Sequence, residues 1–220
     1  TGYVLNNIVT PFARSGDAYG IAADAYFGAL NLQAFNNTVT GAYSGINVYI
    51  AAAASGNTMA LARWNALMLA GRESRELWQE EIQMGRALRR ILQDQSLLPR
   101  WQLPEQMGYT ACFALAAVML DQHARSMQPF CDAAAQQRAA ADTACSYVWS
   151  WLQNQVAVAC KTVPLGQTAA QKLLLEFMPA VPQIVAQASA LPDEDIGSCL
   201  PELALCSASH ERQYTRLFRS

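Results

Sequence analysis

The sequence predicts an all-α fold, a single-domain helix bundle of about eight to ten helices over residues 1–220. Apolar residues recur at helical spacing from about residue 46 onward, prolines and glycines separate these segments, and alternating strand-like runs are scarce. A chain of 220 residues is long enough to enclose one helical core. The pattern is weakest in residues 1–50, where we expect a helix over about 18–35 and a loop over 36–45.

The clearest helix signals lie between residues 46 and 95. A helix from about Ile46 ends at residues 55–57, and Asn57 or Thr58 can cap a second helix. A third helix is expected over 72–95. The predicted buried stripes of the second and third helices are, respectively, Met59, Leu61, Trp64, Leu67 and Met68, and Leu77, Met84, Leu88, Ile91 and Leu92.

Two details of the third helix carry further predictions. Arg72 and Glu76 have the spacing of an i,i+4 ion pair. Gly85 lies inside the helix, where glycine costs about 1 kcal/mol relative to alanine. Close approach by another helix would account for this glycine.

The second half of the chain continues the helical pattern. We expect a largely buried helix over 108–127 and a turn at Pro164–Gly166 followed by a helix from Thr168. The run over about 132–163 is too long for one ordinary helix, so we predict two pieces that meet near Asp142 and Thr143. A further helix is expected over about 182–191, and a short helical or irregular segment after it.

Composition narrows the class of protein. Hydrophobic residues make up 52% and charged residues 15%, whereas about 25% of an average soluble domain is charged. A chain so poor in charge is expected to cover part of its surface with another chain, as in a homodimer. The net charge of −2 and the pI near 5.7 give no reason to expect nucleic acid. We expect no membrane span and no export signal, and hence a cytoplasmic protein with reduced cysteines.

Motifs of catalysis are absent from the sequence. It contains no P-loop, dinucleotide fingerprint, HExxH or GxSxG, so we expect neither an enzyme nor a bound cofactor. A hydrolase without a known motif is left open as a weaker alternative. Cys199, Cys206 and His210 form the one loose metal-like cluster, although their spacing matches no standard zinc pattern. A metal carrier is therefore the alternative to a binding protein.

Two stretches have the composition of contact surfaces. The segment 146–168 begins with crowded aromatic residues, of which Trp149 and Trp151 are expected in core and dimer packing, and it ends at Lys161 beside a Pro-Gly turn. The segment 210–219 combines three arginines with two aromatic residues. Arginine and aromatic side chains are enriched at interface hot spots.

Four segments in order resemble the urease accessory protein family UreF: RESRELWQEEIQMGRAL, WSWLQNQVAVACKTVPLGQTAAQKLLL, LPDEDIGS and SHERQYTRLFRS. The resemblance spans roughly residues 58–220. It implies an all-helical, dimeric, non-catalytic protein that binds the accessory protein UreD (UreH in some species). The resulting complex recruits the GTPase UreG and helps to deliver nickel to apo-urease.

The resemblance also implies site residues. The family's KxVPxGQ turn, which is associated with control of the GTPase step, matches Lys161, Val163, Pro164, Gly166 and Gln167. The family's tail matches the end of the chain, where the arginine at Arg216 is expected in the surface that contacts the GTPase. The tail positions singled out for partner binding are His210, Tyr214, Arg216, Leu217 and Phe218.

The front of the chain departs from the family pattern. The family opens with a segment like LASPALPVGAFSYSQGLE, and residues 1–50 do not reproduce it. The family builds part of its GTPase-facing surface from that segment. The resemblance therefore assigns no role to the N-terminal part of this chain.

Overall fold

The structure is a computed structural model that describes residues 3–5, 8–10, 46, 48–127, 133–163, 165–192, 196 and 201–214. Eight helices occupy most of these residues and confirm the all-α fold class. They are α1 (48–54, with Ile46 also helical), α2 (Thr58–Ala70), α3 (Arg75–Asp94), α4 (Tyr109–Met127), α5 (Ala133–Thr162), α6 (Gln167–Phe177), α7 (Ala180–Ser189) and α8 (Pro201–His210).

A short antiparallel hairpin lies near the start of the chain. Strands β1 (Tyr3–Leu5) and β2 (Ile8–Thr10) pair with Tyr3 opposite Thr10, and β2 lies against α8. The sequence did not predict these strands. The helix expected over 18–35 and the loop expected over 36–45 lie outside the described residues, and the single domain over 1–220 stays a prediction.

Helix α2 begins as predicted but is rotated from its expected face. The Asn57 side chain caps it by accepting a hydrogen bond from the Ala60 N–H at 3.0 Å. Leu61 and Trp64 are buried as expected, whereas Met59 and Leu67 are exposed, which corrects the predicted stripe. Met68 packs against the core as predicted, and the inward face also includes Asn65, because its buried amide finds hydrogen-bond partners there.

Helix α3 also differs from its predicted stripe. Leu77 and Leu92 are buried as expected, but Ile91 is exposed and Ile82 is buried instead. Gly85 faces inward, and a Cβ atom there would overlap the carbonyl oxygen of Met107. The predicted close approach is thus confirmed, although the partner is the backbone immediately before α4.

The predicted pairing of Arg72 with Glu76 is wrong. Helix α3 is capped by Ser74, whose hydroxyl accepts from the Leu77 N–H, so Arg72 lies before the helix and outside its i,i+4 register. Arg72 instead pairs with Glu81, with Nη2 and Oε2 2.7 Å apart.

Helix α5 is continuous, so the predicted division near Asp142 and Thr143 is wrong. The hydroxyl of Thr143 donates to the Ala139 carbonyl at 2.7 Å, and that of Ser146 donates to the Asp142 carbonyl at 2.8 Å. These hydroxyl groups hydrogen-bond to carbonyls of the same helix, so they do not cap a new one. The 30 residues of α5 therefore form one element.

Two hydrophobic clusters hold the described helices together. The larger contains buried residues of α1, α2, α4, α5 and α7, including Tyr49, Leu61, Leu115, Val148 and Ile184. The smaller joins the second half of α5 to α6 through Leu152, Val156, Ala170 and Leu174. Trp149 and Trp151 are half-buried and pack against both clusters, which confirms their predicted place in the core.

Candidate functional site

The predicted partner-binding turn lies where α5 ends and α6 begins. Lys161 is exposed in the last turn of α5, where a positive charge interacts favourably with the helix dipole. Gln167 is exposed at the start of α6, and Pro164 lies outside the described residues. The packing of α5 on α6 holds the turn at the surface.

Gly166 is the N-cap of α6, and its backbone conformation does not require glycine. It caps α6 with φ −72° and ψ 155°, which any residue adopts, and it makes no side-chain cap hydrogen bond. A Cβ atom at this position would have no neighbour within 4 Å. Glycine here leaves the backbone open to an approaching molecule.

The predicted C-terminal surface is only partly described. Tyr214 is fully exposed, whereas Arg216, Leu217 and Phe218 lie outside the described residues. His210 is half-buried, and its Nδ1 lies 2.6 Å from the Glu76 Oε2. The structure therefore places His210 in contact with α3 and Tyr214 in solvent.

Helix α8 meets the start of α3 through a seam of polar groups that the sequence did not reveal. Ser207 is buried and its hydroxyl contacts that of Ser74, the N-cap of α3. The Glu76 N–H donates to Glu211 Oε1 at 2.9 Å. We call these five residues, Ser74, Glu76, Ser207, His210 and Glu211, the C-terminal latch.

A second polar network, also missed by the sequence, joins α3 to α4 and α5. Glu81 Oε1 accepts from the Thr110 N–H at 2.9 Å and from the Thr110 hydroxyl at 3.0 Å. The Thr110 and Tyr147 hydroxyls are 2.8 Å apart. Arg72 pairs with the other oxygen of Glu81, and its own buried Nε has no hydrogen-bond partner among the described residues. We call Arg72, Glu81, Thr110 and Tyr147 the buried network.

Burial dominates the electrostatics around this network. It raises the pKa of the Tyr49 and Tyr147 hydroxyls above their ordinary values, and the charge of Glu81 adds to the effect. Burial also raises the pKa of the Cys112 thiol to about 12. For Arg72, burial acts to lower the pKa, but the carboxylate of Glu81 outweighs it and the pKa rises. The network therefore holds one ion pair among neutral hydroxyls and a neutral thiol.

The alternative metal cluster is not assembled by the described residues. Cys199 lies outside them, and Cys206 is a half-buried free thiol. Among the described residues, no three His, Cys, Asp or Glu side chains converge as a metal site, and His210 Nδ1 already faces Glu76. The same part of the chain has no helix long and apolar enough to cross a membrane.

These features define a class: an all-α protein in which most of the described candidate residues lie at the surface, while His210 is half-buried against α3. Its polar interior is occupied by intramolecular hydrogen bonds that tie helices together. In contrast, Lys161, Gly166, Gln167 and Tyr214 are exposed.

Comparison with known proteins gives the particular family. The UreF family model matches residues 39–178. The urease accessory protein UreF of Chromohalobacter salexigens is 44% identical over 168 residues, which are 76% of this chain and 66% of that protein. UreF of Marinobacter nauticus is 41% identical over 73% of this chain and 63% of its own length. UreF of Hahella chejuensis is 40% identical over 71% of this chain and 64% of its own length.

The chain belongs to the UreF family of urease accessory proteins. It spans slightly less than two thirds of the length of these three relatives. The relatives are named as accessory proteins of urease, which agrees with the prediction that the chain is not an enzyme. The family match includes the turn from Lys161 to Gln167, whereas α8 and Tyr214 lie beyond it.

Proposed function

We propose that the chain is a non-catalytic scaffold in urease maturation. It binds the UreD/UreH-type accessory protein and recruits or regulates the UreG-type GTPase, so that nickel is inserted into apo-urease. The observation that carries this proposal is identity of 40–44% to urease accessory proteins over 71–76% of the chain. A location in the cytoplasm, where such partners would be met, is part of the proposal.

The exposed turn supports a binding role. Lys161 presents a positive charge, and no described residue other than its chain neighbours lies within 4 Å of a Cβ position at Gly166. Neither feature is needed to pack the described helices. A partner that approaches the Gly166 backbone closely would account for glycine at a cap position, where serine or asparagine binds the helix end better.

A homodimer is also part of the proposal. Large apolar side chains are exposed on several helices, including Met59, Ile91, Leu120 and Leu175. With only 15% charged residues in the chain, covering some of these side chains with a second copy would lower the exposed apolar area. Light scattering coupled to size-exclusion chromatography tests this, and a mass of one chain at all concentrations would refute it.

The metal-carrier alternative gains no support from the described residues, because His210 is held by Glu76. Equilibrium dialysis against nickel separates the two functions. We expect no tight stoichiometric binding by this chain alone. Tight binding that is lost in Cys206→Ala would favour the carrier.

Co-purification with the UreD-type and UreG-type proteins tests the scaffold function. The unchanged chain is expected to retain both partners. Gly166→Ala and Arg216→Ala should each reduce recovery of the GTPase about tenfold or more, the loss typical of a central contact residue. Lys161→Ala should reduce it less, because an isolated exposed charge contributes little.

Matched controls come from the same surfaces. Lys172→Ala removes an exposed lysine of α6, and Arg212→Ala removes an exposed arginine near Tyr214. Both are expected to capture the GTPase as the unchanged chain does. Equal capture by Gly166→Ala and Arg216→Ala would refute the site assignment, and no capture by the unchanged chain would refute the scaffold function.

A further inference from the structure

We propose that the C-terminal latch positions the partner-binding end of the chain, and that Ser207, His210 and Glu211 are positioning residues rather than partner contacts. This inference rests on the proposed function. It also changes the role predicted for His210, which would act through α3 instead of touching a partner.

The spacing of the latch residues on α8 supports the proposal. Ser207, His210 and Glu211 are related by three and four residues, so they lie on one face of the helix. That face meets α3, since Ser207 is buried and the other two contact Glu76. Leu205, on a different face, is largely exposed. These polar side chains therefore form a contact stripe between the end of α8 and α3.

The start of α3 is suited to receive that stripe. The first N–H groups of a helix have no partner within the helix and carry partial positive charge. Glu211 accepts a hydrogen bond from one of them, the Glu76 N–H, and Ser74 caps another. Because an ionised carboxylate can only accept, His210 Nδ1–H donates to Glu76 Oε2. Both helices are therefore secured at their ends.

The latch also fixes the last described turn before Tyr214. The N–H groups of Glu211, Arg212 and Gln213 donate to carbonyls of Ser207, Ser209 and His210 at 3.0–3.2 Å. Tyr214 follows immediately and is fully exposed. A segment that leaves the protein from a fixed point loses less conformational freedom when it binds a partner.

We expect the contacts of the C-terminal latch to open more readily than the core unfolds. Among residues 204–210 of α8, whose side chains are described, none belongs to either hydrophobic cluster, and the helix also lies against β2. The contacts of Glu76 with His210 and Glu211 are partly exposed, so water can replace a lost partner there, whereas the contact between the Ser74 and Ser207 hydroxyls is buried. Opening the latch would release the departure point of the C-terminal segment without unfolding the core.

Cys206 provides a direct measure of opening. It is a half-buried free thiol beside Ser207. Its alkylation rate, followed by mass spectrometry, should rise about tenfold in His210→Ala and in Ser207→Ala, which each remove one latch contact. Ser209→Ala is the matched control, because Ser209 is exposed on the same helix. Alkylation of Cys160 on α5 should not change in any of these variants.

Capture of the GTPase, together with the UreD-type protein, measures positioning. His210→Ala and Ser207→Ala should weaken capture several-fold, and Ser209→Ala should not. The contact between the Ser74 and Ser207 hydroxyls allows a lock, in which Ser74→Cys and Ser207→Cys are oxidised to a disulfide. This lock should restore capture in His210→Ala and slow alkylation of Cys206, and reduction should reverse both effects.

Each contrary outcome has a distinct meaning. Unchanged Cys206 alkylation in His210→Ala and Ser207→Ala would show that the latch does not hold α8. Faster alkylation with unchanged capture would overturn the positioning role. Weaker capture by the locked form than by the unchanged chain would show that the open form binds. If the unchanged chain captured no partner, the proposed function and the positioning role would both fail, while alkylation would still decide whether the latch exists.

Discussion

Helix α3 takes part in two polar junctions of opposite character. At Glu81 the carboxylate is largely buried and bonds Arg72 and both donors of Thr110. At Glu76 the carboxylate is more exposed and meets His210 on a helix outside both hydrophobic clusters. Glutamate on the same helix therefore takes part in a largely buried network at one position and in a more exposed helix contact at the other.

The difference lies in what surrounds each carboxylate. The buried network sits beside a glycine contact so close that α3 and the start of α4 cannot separate without disturbing the core. Buried polar groups that lose a partner are costly, whereas water can replace a partner at the surface. Disruption of the buried network should therefore destabilise the whole fold, and disruption of the latch should act locally.

The largest effect is expected from Glu81→Ala. It leaves Arg72 charged and largely buried without its partner, which should lower the free energy of unfolding by about 3–5 kcal/mol. Urea denaturation followed by circular dichroism measures the change. Glu176→Ala, at an exposed position of α6, should change stability by less than about 0.5 kcal/mol. A similar small change in Glu81→Ala would remove the distinction between the two junctions.

Gly85→Ala should have the next largest effect. The added methyl group overlaps the Met107 carbonyl oxygen and lies 2.8 Å from the Gly108 carbonyl carbon, so the backbone must shift. Overpacking of this kind costs about 1–3 kcal/mol. Gly166→Ala adds the same group in open space and should cost less than about 1 kcal/mol. Thermal unfolding of both variants compares the sites, and equal melting temperatures would contradict the close contact.

Alkaline pH tests burial in the core through Cys112, whose thiol lies in the larger hydrophobic cluster and feels the charge of Glu81. The thiol's folded pKa of about 12 exceeds the ordinary 9.0, so the unfolded chain loses the proton first. The stability that the fold gains by keeping the Cys112 thiol protonated is fully present below pH 9 and is lost as the pH rises toward 12. Between pH 8 and 10, Cys112→Ala should therefore lose about 1 kcal/mol less stability than the unchanged chain. Identical slopes for Cys112→Ala and the unchanged chain would contradict the prediction.

Apart from the control variants, the smallest change in global stability is expected from Ser207→Ala. Ser74 keeps its hydrogen bond from the Leu77 N–H, so the free energy of unfolding should fall by about 1 kcal/mol or less. Hydrogen exchange should nevertheless quicken at residues 207–213 and stay unchanged at residues 77–92. Equal acceleration in both segments would mean that the latch and the core open together.

The sequence predicted the helices better than their faces. Apolar spacing and caps located α2, α3 and α4 to within a few residues, and Asn57 was identified as a cap. The faces of α2 and α3 were wrong where polar or small residues turn inward, because Asn65 and Gly85 are buried through contacts with a distant backbone. Periodicity counts only apolar residues and cannot register such contacts.

The candidate sites also differ in whether the sequence alone could reveal them. Lys161, Gly166 and Gln167 came from a local motif, and the structure finds them exposed together at one turn. The latch and the buried network join residues far apart in the chain, such as Ser74 with Ser207 and Glu81 with Thr110. Only the fold brings these pairs together, so nothing in the local sequence marked Ser207 or Thr110 as a partner.

The unbroken length of α5 has a consequence for recognition. At about 1.5 Å per residue, its 30 residues form a rod about 45 Å long. Val148 anchors the rod in the larger cluster, and Leu152 anchors it in the smaller one. The position of Lys161, in the last turn of this helix, is therefore set by the packing of α5 in both clusters. If a partner protein docks on Lys161, as proposed, the packing of α5 sets where that partner lies relative to the two clusters.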